Sequence, residues 1–453
     1  MNKLLKKEEF ILKEFINRIR KKDFSGSEGL EIKNSFFMML TSFATRIGSL
    51  IFTIIIARLL MPELFGLYSI VLAVIMVFAL FSDLEIGSAF VRFISKELGR
   101  NKKAKAKAYA VYFLKIKIFL VFASMITLIL VSRYLANNIF EKPLFLGFIA
   151  GALYLILLGI SEILEDIMFS SNSFKNIFWK ETLFQVIRVI IVPVLIILGL
   201  KYSLSNEINI SLIIIGLTGS LLFATTIIYF FSREKFDFLR HKEEKLTESE
   251  NKKINKFMIA MPSIAISGLF FGEIDILFLG HFVLADFVGY YRAVFGLVGG
   301  IIALITFSAA LLPVFSKLGK REIERDFNKF LGVTILLSLI SVILLIIFSP
   351  LIINIIYGSS YAVSSGILRI FSIVIISNPI ISLYETYFIS RGKPRMISKI
   401  LILSTILNVI LTYTFIKTFL VNGQLFAVYG AIIASIISRY VIMFSLIFYK
   451  RRL

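Results

Sequence analysis

Twelve mostly apolar stretches, each about as long as a helix needs to cross a bilayer, dominate this chain. They lie near 35–59, 67–88, 108–132, 144–170, 181–200, 208–231, 257–280, 288–312, 330–356, 362–388, 400–416 and 425–448. About 20 helical residues cross a hydrocarbon core about 30 Å thick. A helix also satisfies its own backbone polar groups there, which an open strand or loop does not. The 453 residues are 58% hydrophobic and 17% charged, against about 45–50% and about 25% for soluble domains. Lipid must therefore serve as part of the solvent. The pattern predicts an all-α membrane protein with about 12 transmembrane helices.

Basic residues test that count independently, because short cytoplasmic loops carry the excess Lys and Arg. With the N-terminus placed inside, 38 of the 50 Lys and Arg fall in inside segments. The outside segments hold only Arg133, Lys142, Lys201 and Lys417. A missed helix would invert the alternation beyond it, yet it holds to the end. Both termini are therefore expected in the cytoplasm of a cell with this protein in its plasma (inner) membrane. The net charge of +21 is mostly a topology signal, and no nucleic-acid partner is expected.

Residues 1–33 interleave Leu4, Leu5, Phe10, Ile11, Phe15, Ile16 and Ile19 with basic residues. That spacing predicts an amphipathic segment on the cytoplasmic leaflet rather than a cleaved signal peptide. The longest polar stretch runs from Ser232 to Lys256 and reads as a charged cytoplasmic linker. It separates six spans (34–231) from six more (257–453). The halves echo one another. Arg58-Leu-Leu-Met-Pro-Glu63-Leu-Phe-Gly66-Leu-Tyr68 is followed, at a shift of 223, by His281-Phe-Val-Leu-Ala-Asp286-Phe-Val-Gly289-Tyr-Tyr291. At a shift of 219, Asp166 faces Glu385 and Lys180 faces Lys399. Six spans per unit leave both copies in one orientation, so the expected architecture is two six-helix lobes related by a parallel pseudo-two-fold repeat.

Charges within spans carry the most information, since each costs about 2.5 kcal/mol or more to place there. Arg46, Arg188 and Arg439 lie deep in spans 1, 5 and 12, while Arg292 and Arg369 lie in the outer halves of spans 8 and 10. Lys115 and Lys117 are one to two turns into span 3. Asp83, Glu85, Glu162, Glu165 and Asp166 stand near the inner ends of spans 2 and 4. Arginine grips phosphate bidentately and keeps its charge when desolvated. Arg46, Arg292 and Arg369 are accordingly the candidate substrate-binding residues of a cationic, water-filled cavity. The competing reading has these arginines paired to acids and holding helices together. Glu273, Asp275 and Glu385 are the candidates for a coupling ion or proton. Glu273 and Asp275, about 200° apart on a helix, cannot share a partner face, and pairing of Glu273 or Asp275 with Arg292 is the alternative. Pro193 and Pro379 are expected to kink spans 5 and 10.

Enzyme signatures are missing: there is no Walker loop, zinc motif or nucleophile elbow, and no catalytic residue, metal site or cofactor is expected. The chain has no cysteine, and its two histidines, His241 and His281, are far apart in sequence. An integral-membrane glycosyltransferase or polymerase would need a sizeable external loop with catalytic acids, which the short loops do not supply.

Four stretches carry a family resemblance: ARLLMPELFGLYSI (57–70), VGYYRAVFGL (288–297), YGSSYAVSSGILRIFSI (357–373) and VYGAIIASIIS (428–438). Together they resemble the polysaccharide and oligosaccharide flippases of the multidrug/oligosaccharidyl-lipid/polysaccharide exporter superfamily. The resemblance implies twelve to fourteen helices in two lobes that alternate between inward- and outward-open states. It implies a cargo of sugars on a polyprenyl or dolichol phosphate or pyrophosphate, with cavity cations on the headgroup. Arg46 and Arg292 match that role best by position. The implied partners are the lipid-linked glycan, membrane lipids, and the glycosyltransferases or polymerase of a glycan-assembly pathway. A multidrug or cation antiporter of the same superfamily is the nearest rival.

Overall fold

The computed structural model describes residues 26–242, 244–260, 262–306 and 320–452. Most of the expected amphipathic segment 1–33, the end of span 8 and the start of the following basic loop lie outside the described residues. The described residues form helices joined by short turns: α1 (Gly26–Asp83), α2 (Ile86–Gly99), α3 (Lys103–Tyr134), α4 (Phe145–Ser170), α5 (Phe174–Lys201), α6 (Asn206–Ser232), α7 (Glu248–Ala260), α8 (Pro262–Phe282), α9 (Ala285–Ile305), α10 (Lys320–Tyr357), α11 (Ser364–Phe371), α12 (Val374–Ser390), α13 (Pro394–Leu420) and α14 (Gln424–Arg451). Among the described residues nine helical stretches are long and apolar enough to cross a membrane, or ten if α11 and α12 form one bent span. The protein is an all-helical, multi-pass membrane protein.

Local sequence explains where the helices break. α1 is two helical limbs meeting at Met61, whose φ of 59° and ψ of 171° leave the helical region just before Pro62. Proline disfavours the α conformation in the residue before it and suits the first turn of a helix. The loop expected between the first two spans thus shrinks to a single residue. A second break falls at Leu84 and Glu85, both with positive φ. The tenth span also breaks, with α11 and α12 meeting at 40°. The bend sits at Ser372–Ile373 rather than at Pro379, which stays inside α12.

The two halves meet through reciprocal contacts that follow the sequence repeat. A Cβ placed on Gly66 would overlap the carbonyl oxygen of Ala285, and one on Gly289 would overlap that of Pro62. Shifted by 223, Pro62 becomes Ala285 and Gly66 becomes Gly289, so the two approaches are one contact seen twice. Only a residue without a side chain allows backbones this close. The Tyr361 hydroxyl donates to the Ala57 carbonyl at 2.8 Å, and Lys142 Nζ donates to the Gly280 carbonyl at 2.7 Å. Ala57 and Gly280 are again 223 apart, and Lys142 and Tyr361 are 219 apart. Arg58 donates to the carbonyls of Ile355 and Ile356, while His281, its equivalent, bonds the Ile139 carbonyl. A self-complementary set of this kind marks a two-fold relation.

All of these contacts lie at the end of the bundle opposite the lysine- and arginine-rich loops. Through the bundle, α9 runs antiparallel to the first limb of α1: Gly289, Gly296 and Gly300 face Pro62, Thr53 and Leu50 in turn. Contact between the halves runs chiefly through α1 and the wide π-type turn Leu135–Phe140 on one side, and α8, α9, α10 and the turn Ser359–Tyr361 on the other. One end is sealed, and the basic end is not tied by the same contacts.

Candidate functional site

Arg188 is the most unusual cation in the interior. α5 carries it against the first limb of α1, where it donates to Ser49 Oγ at 2.8 Å. Its guanidinium lies 4.4 Å from the Phe52 ring centre and 5.0 Å from that of Phe184. Its Nε is buried without a hydrogen-bond partner, and among the described residues no carboxylate pairs with it. The residue is half-buried, and the Glu181 carboxylate acts on its charge without forming an ion pair with it. Holding such a partly desolvated charge between helices is costly, and the aromatic faces recover about 0.5–2 kcal/mol of that. With no carboxylate in contact, the guanidinium is able to take up an anion.

Buried Tyr68, on the second limb of α1, stands beside this cation. The charges bearing on its hydroxyl are those of Arg188, Arg292 and Glu273. Arg188 also acts on the hydroxyl of Tyr154 from α4. The Tyr68 hydroxyl thus feels the charge of one arginine from each half of the chain. Arg292 itself is held by Glu273 at 3.1 Å and lies 5.5 Å from the Phe295 ring centre. Glu273 and Arg292 therefore sit in the paired arrangement across the α8–α9 hairpin.

The remaining predicted cations stand apart. Arg46 is exposed and donates to the Ala303 carbonyl at 2.8 Å. Ala303 and Arg292 are eleven residues apart on α9, about 16 Å along its axis, beyond what one phosphate spans. Arg369 is exposed and donates to Ser349 Oγ at 2.8 Å, on the flank formed by α10 and α11. The three candidate substrate-binding arginines do not converge. Arg188, deep in span 5 but outside that trio, acts together with Arg292 on the Tyr68 hydroxyl.

The acids separate just as clearly. Asp275 is fully buried and accepts from Tyr291 at 2.6 Å, Thr412 at 3.1 Å and Ser435 at 2.5 Å, with the Arg439 charge close by. Glu385 on α12 has no hydrogen bond or ion pair among the described residues. In the first half, Lys117 is gripped by Asp83 at 2.7 Å, Asp166 at 3.1 Å and Glu162 at 3.3 Å. Lys180 pairs with Glu165. The sequence places these acids near the inner ends of spans 2 and 4. Only the fold shows that one ammonium gathers three of them.

Two cavities flank this interior. An apolar groove of about 540 Å³ runs between the second limb of α1, the Leu135–Phe140 turn, α8 and α13, with His281 and Lys417 at its rim. At the basic end lies a larger cavity of about 1390 Å³ lined by lysines and arginines. Cations thus line a cavity at the basic end, while Arg188 and Arg292 are packed against neighbouring helices.

The bundle is similar to several solved transporters. An inward-facing multidrug resistance MATE family transporter of the MOP superfamily superposes with a TM-score of 0.67 at 15% identity, over 89% of this chain and 94% of that one. The lipid II flippase MurJ, in an inward closed conformation, gives 0.69 at 18% identity over 90% and 87%. A MOP superfamily transporter from Pyrococcus furiosus Vc1, described as having a binding pocket of reverse polarity, gives 0.53 at 14% over 94% and 96%. The class is thus a membrane bundle with the MOP-superfamily fold. No curated protein matches the chain in sequence. The polysaccharide biosynthesis protein family matches residues 32–319, and the chain belongs to that family.

Proposed function

We propose that this protein flips a lipid-linked oligosaccharide, carried on a polyprenyl or dolichol phosphate or pyrophosphate, from the cytoplasmic to the outer leaflet. The observation that carries the reading is Arg188: a half-buried arginine whose Nε has no partner and which makes no ion pair among the described residues, and whose charge bears, with that of Arg292 from the other half, on the Tyr68 hydroxyl. A phosphate passing between the halves supplies the missing anion, and the paired Glu273 lets Arg292 exchange partners as it passes. The lipid tail stays in hydrocarbon, where the apolar groove along α8 and α13 offers it a surface. Family membership and the likeness to a lipid flippase support this reading.

Topology follows from charge. The basic end faces the cytoplasm of the plasma membrane, and both termini lie there. The units are then the basic segment 1–33, the N-lobe 34–231, the linker 232–256 and the C-lobe 257–453. The sealed end faces outward, consistent with the higher TM-score against the inward-facing than the outward-facing MATE transporter, 0.67 against 0.57. Transport alternates between this state and one in which the reciprocal contacts open. The cation antiporter reading needs a free deep acid facing the cargo. Asp275 is saturated by three donors and Glu273 is paired with Arg292, which leaves Glu385 as the candidate for a coupling proton or cation in either reading.

The test is a strain lacking the protein, with lipid-linked glycans assayed by leaflet. Cytoplasmic-facing precursor should accumulate, and wild-type protein but not Arg188→Ala should clear it. Full clearance by Arg188→Ala, at wild-type protein level, would remove that residue from the path. A second test exploits the absence of cysteine. Ser360 Oγ lies 3.6 Å from Met61 Sδ across the sealed end, so Met61→Cys with Ser360→Cys, joined by a short thiol cross-linker, should stop flipping. Continued flipping when cross-linked would contradict opening at that end.

A further inference from the structure

The cavity of about 1390 Å³ at the basic end is bounded by α2, the start of α3, the linker with α7, and Arg395 at the start of α13. Eight lysines and arginines line it against three glutamates. Some of that charge is spent within the fold: Lys103 pairs with Asp237 and Lys105 with Glu250, both at 2.8 Å. Lys96, Lys102, Lys253 and Arg395 have no carboxylate partner among the described residues. The cytoplasmic excess of positive charge requires only that loops be basic. It does not require cations from both halves and the linker to converge on one cavity.

The cavity wall also has aromatic faces. The Phe93 ring lies 5.3 Å from Tyr109 and 6.1 Å from Phe257, and Arg92 stacks 4.7 Å above Phe257. Two linked phosphates spread their negative charge over two centres, so that cations on opposite walls of the cavity can each grip one, and a sugar or base ring beside them would lie on the aromatic face.

We propose that this pocket is a second anion site, distinct from Arg188, that binds a diphosphate ester carrying a sugar or nucleoside ring. Two sources share that chemistry: the headgroup of a lipid-linked glycan, and a soluble nucleoside diphosphate or its sugar conjugate. Only the lipid source rests on the flipping reading. Because Arg395 belongs to the second half and Lys96 and Lys102 to the first, an occupant bridges the two halves at this end.

The experiment uses the full chain in nanodiscs of zwitterionic lipid at physiological ionic strength, titrated calorimetrically with inorganic pyrophosphate. Saturable binding is expected. Lys96→Glu with Arg395→Glu should weaken it at least about tenfold, since both charges act directly on the anion. Lys96→Gln with Arg395→Gln should fall between that variant and wild type, which separates lost charge from misfolding. Lys242→Glu with Lys252→Glu makes the same charge change on exposed residues outside the pocket and should stay within about twofold. The Lys96→Glu, Arg395→Glu pair should weaken binding by the same factor in an Arg188→Ala background as in wild type, so loss of flipping and loss of this site are told apart.

Uridine diphosphate binding tighter than pyrophosphate assigns the soluble ester. Displacement of pyrophosphate by polyprenyl diphosphate placed in the disc assigns the lipid headgroup. Equal weakening by the pocket and control variants, or no effect of the pocket variants, overturns the proposal. Failure of both organic diphosphates to outdo inorganic pyrophosphate overturns the ring-binding part of it.

Discussion

Tyr68 and Tyr291 occupy the same place in the two copies of the repeat, 223 residues apart, yet they answer opposite charges. Tyr291 donates to Asp275, which Thr412 and Ser435 also serve and beside which the Arg439 charge stands. The Tyr68 hydroxyl feels instead the charge of Arg188, whose Nε has no partner. Around Asp275 the second half has closed a polar cluster on itself, although Asn408 and Glu385 elsewhere in that half have no partner among the described residues. At the equivalent place the first half has left the Arg188 Nε unpartnered. A buried polar cluster that is satisfied reads as architecture, and one missing a partner reads as a site.

The comparison breaks most easily at Asp275. Asp275→Ala strips the acceptor from three donors and the counter-charge from beside Arg439, and should cost about 3–5 kcal/mol. Thermal unfolding of the purified protein measures it. Next come Gly66→Ala and Gly289→Ala, each of which forces a Cβ onto a carbonyl across the seal. Overpacking of this kind costs about 1–3 kcal/mol, and because the contacts are reciprocal the two variants should lose similar amounts. Arg188→Ala should change stability by no more than about 2 kcal/mol, the scale of its aromatic contacts, while flipping collapses. A large stability loss there would make Arg188 a second architectural residue and erase the contrast. Arg369→Ala, on the flank away from Tyr68, should leave flipping within about twofold, since its contact is a single hydroxyl.

The smallest effect is expected at the linker. Burial works against ionised Glu250, but Lys105 and the amide and hydroxyl of Thr247 together hold its carboxyl down to about 2. A lowered value adds stability above the unfolded carboxyl range near about 4.3 and loses it as pH falls through the folded one. Docking of α7 on α3 should be unchanged between about pH 8 and 5 and should weaken only as pH falls from about 4 towards 2. Hydrogen exchange of the linker amides reads this directly.

Much of the fold was legible because hydrocarbon leaves a chain few choices. Length and apolarity placed the helices, and Gly66 and Gly289 in register announced the repeat whose backbones they bring together. The breaks at Leu84–Glu85 and Ser372–Ile373 had no such signal, since neither carries glycine or proline at the break itself. The site was half legible. Depth identified Arg46, Arg188 and Arg439 as the costliest cations, with Arg292 and Arg369 nearer the outer side, but their azimuth and partners depend on packing. Depth could not show that Glu273 holds Arg292, that a backbone carbonyl holds Arg46, or that Arg188 packs on two aromatic rings with its Nε unpartnered. The pairing of Tyr68 with Tyr291 in the repeat was the available clue, read only once their surroundings differed.

The most direct measurement is translocation of a fluorescent polyprenyl-diphosphate glycan in proteoliposomes, scored by leaflet. Arg188→Gln, which keeps a polar side chain without the charge, should fold as wild type and leave the label in its starting leaflet. Translocation by Arg188→Gln at the wild-type rate would contradict the account.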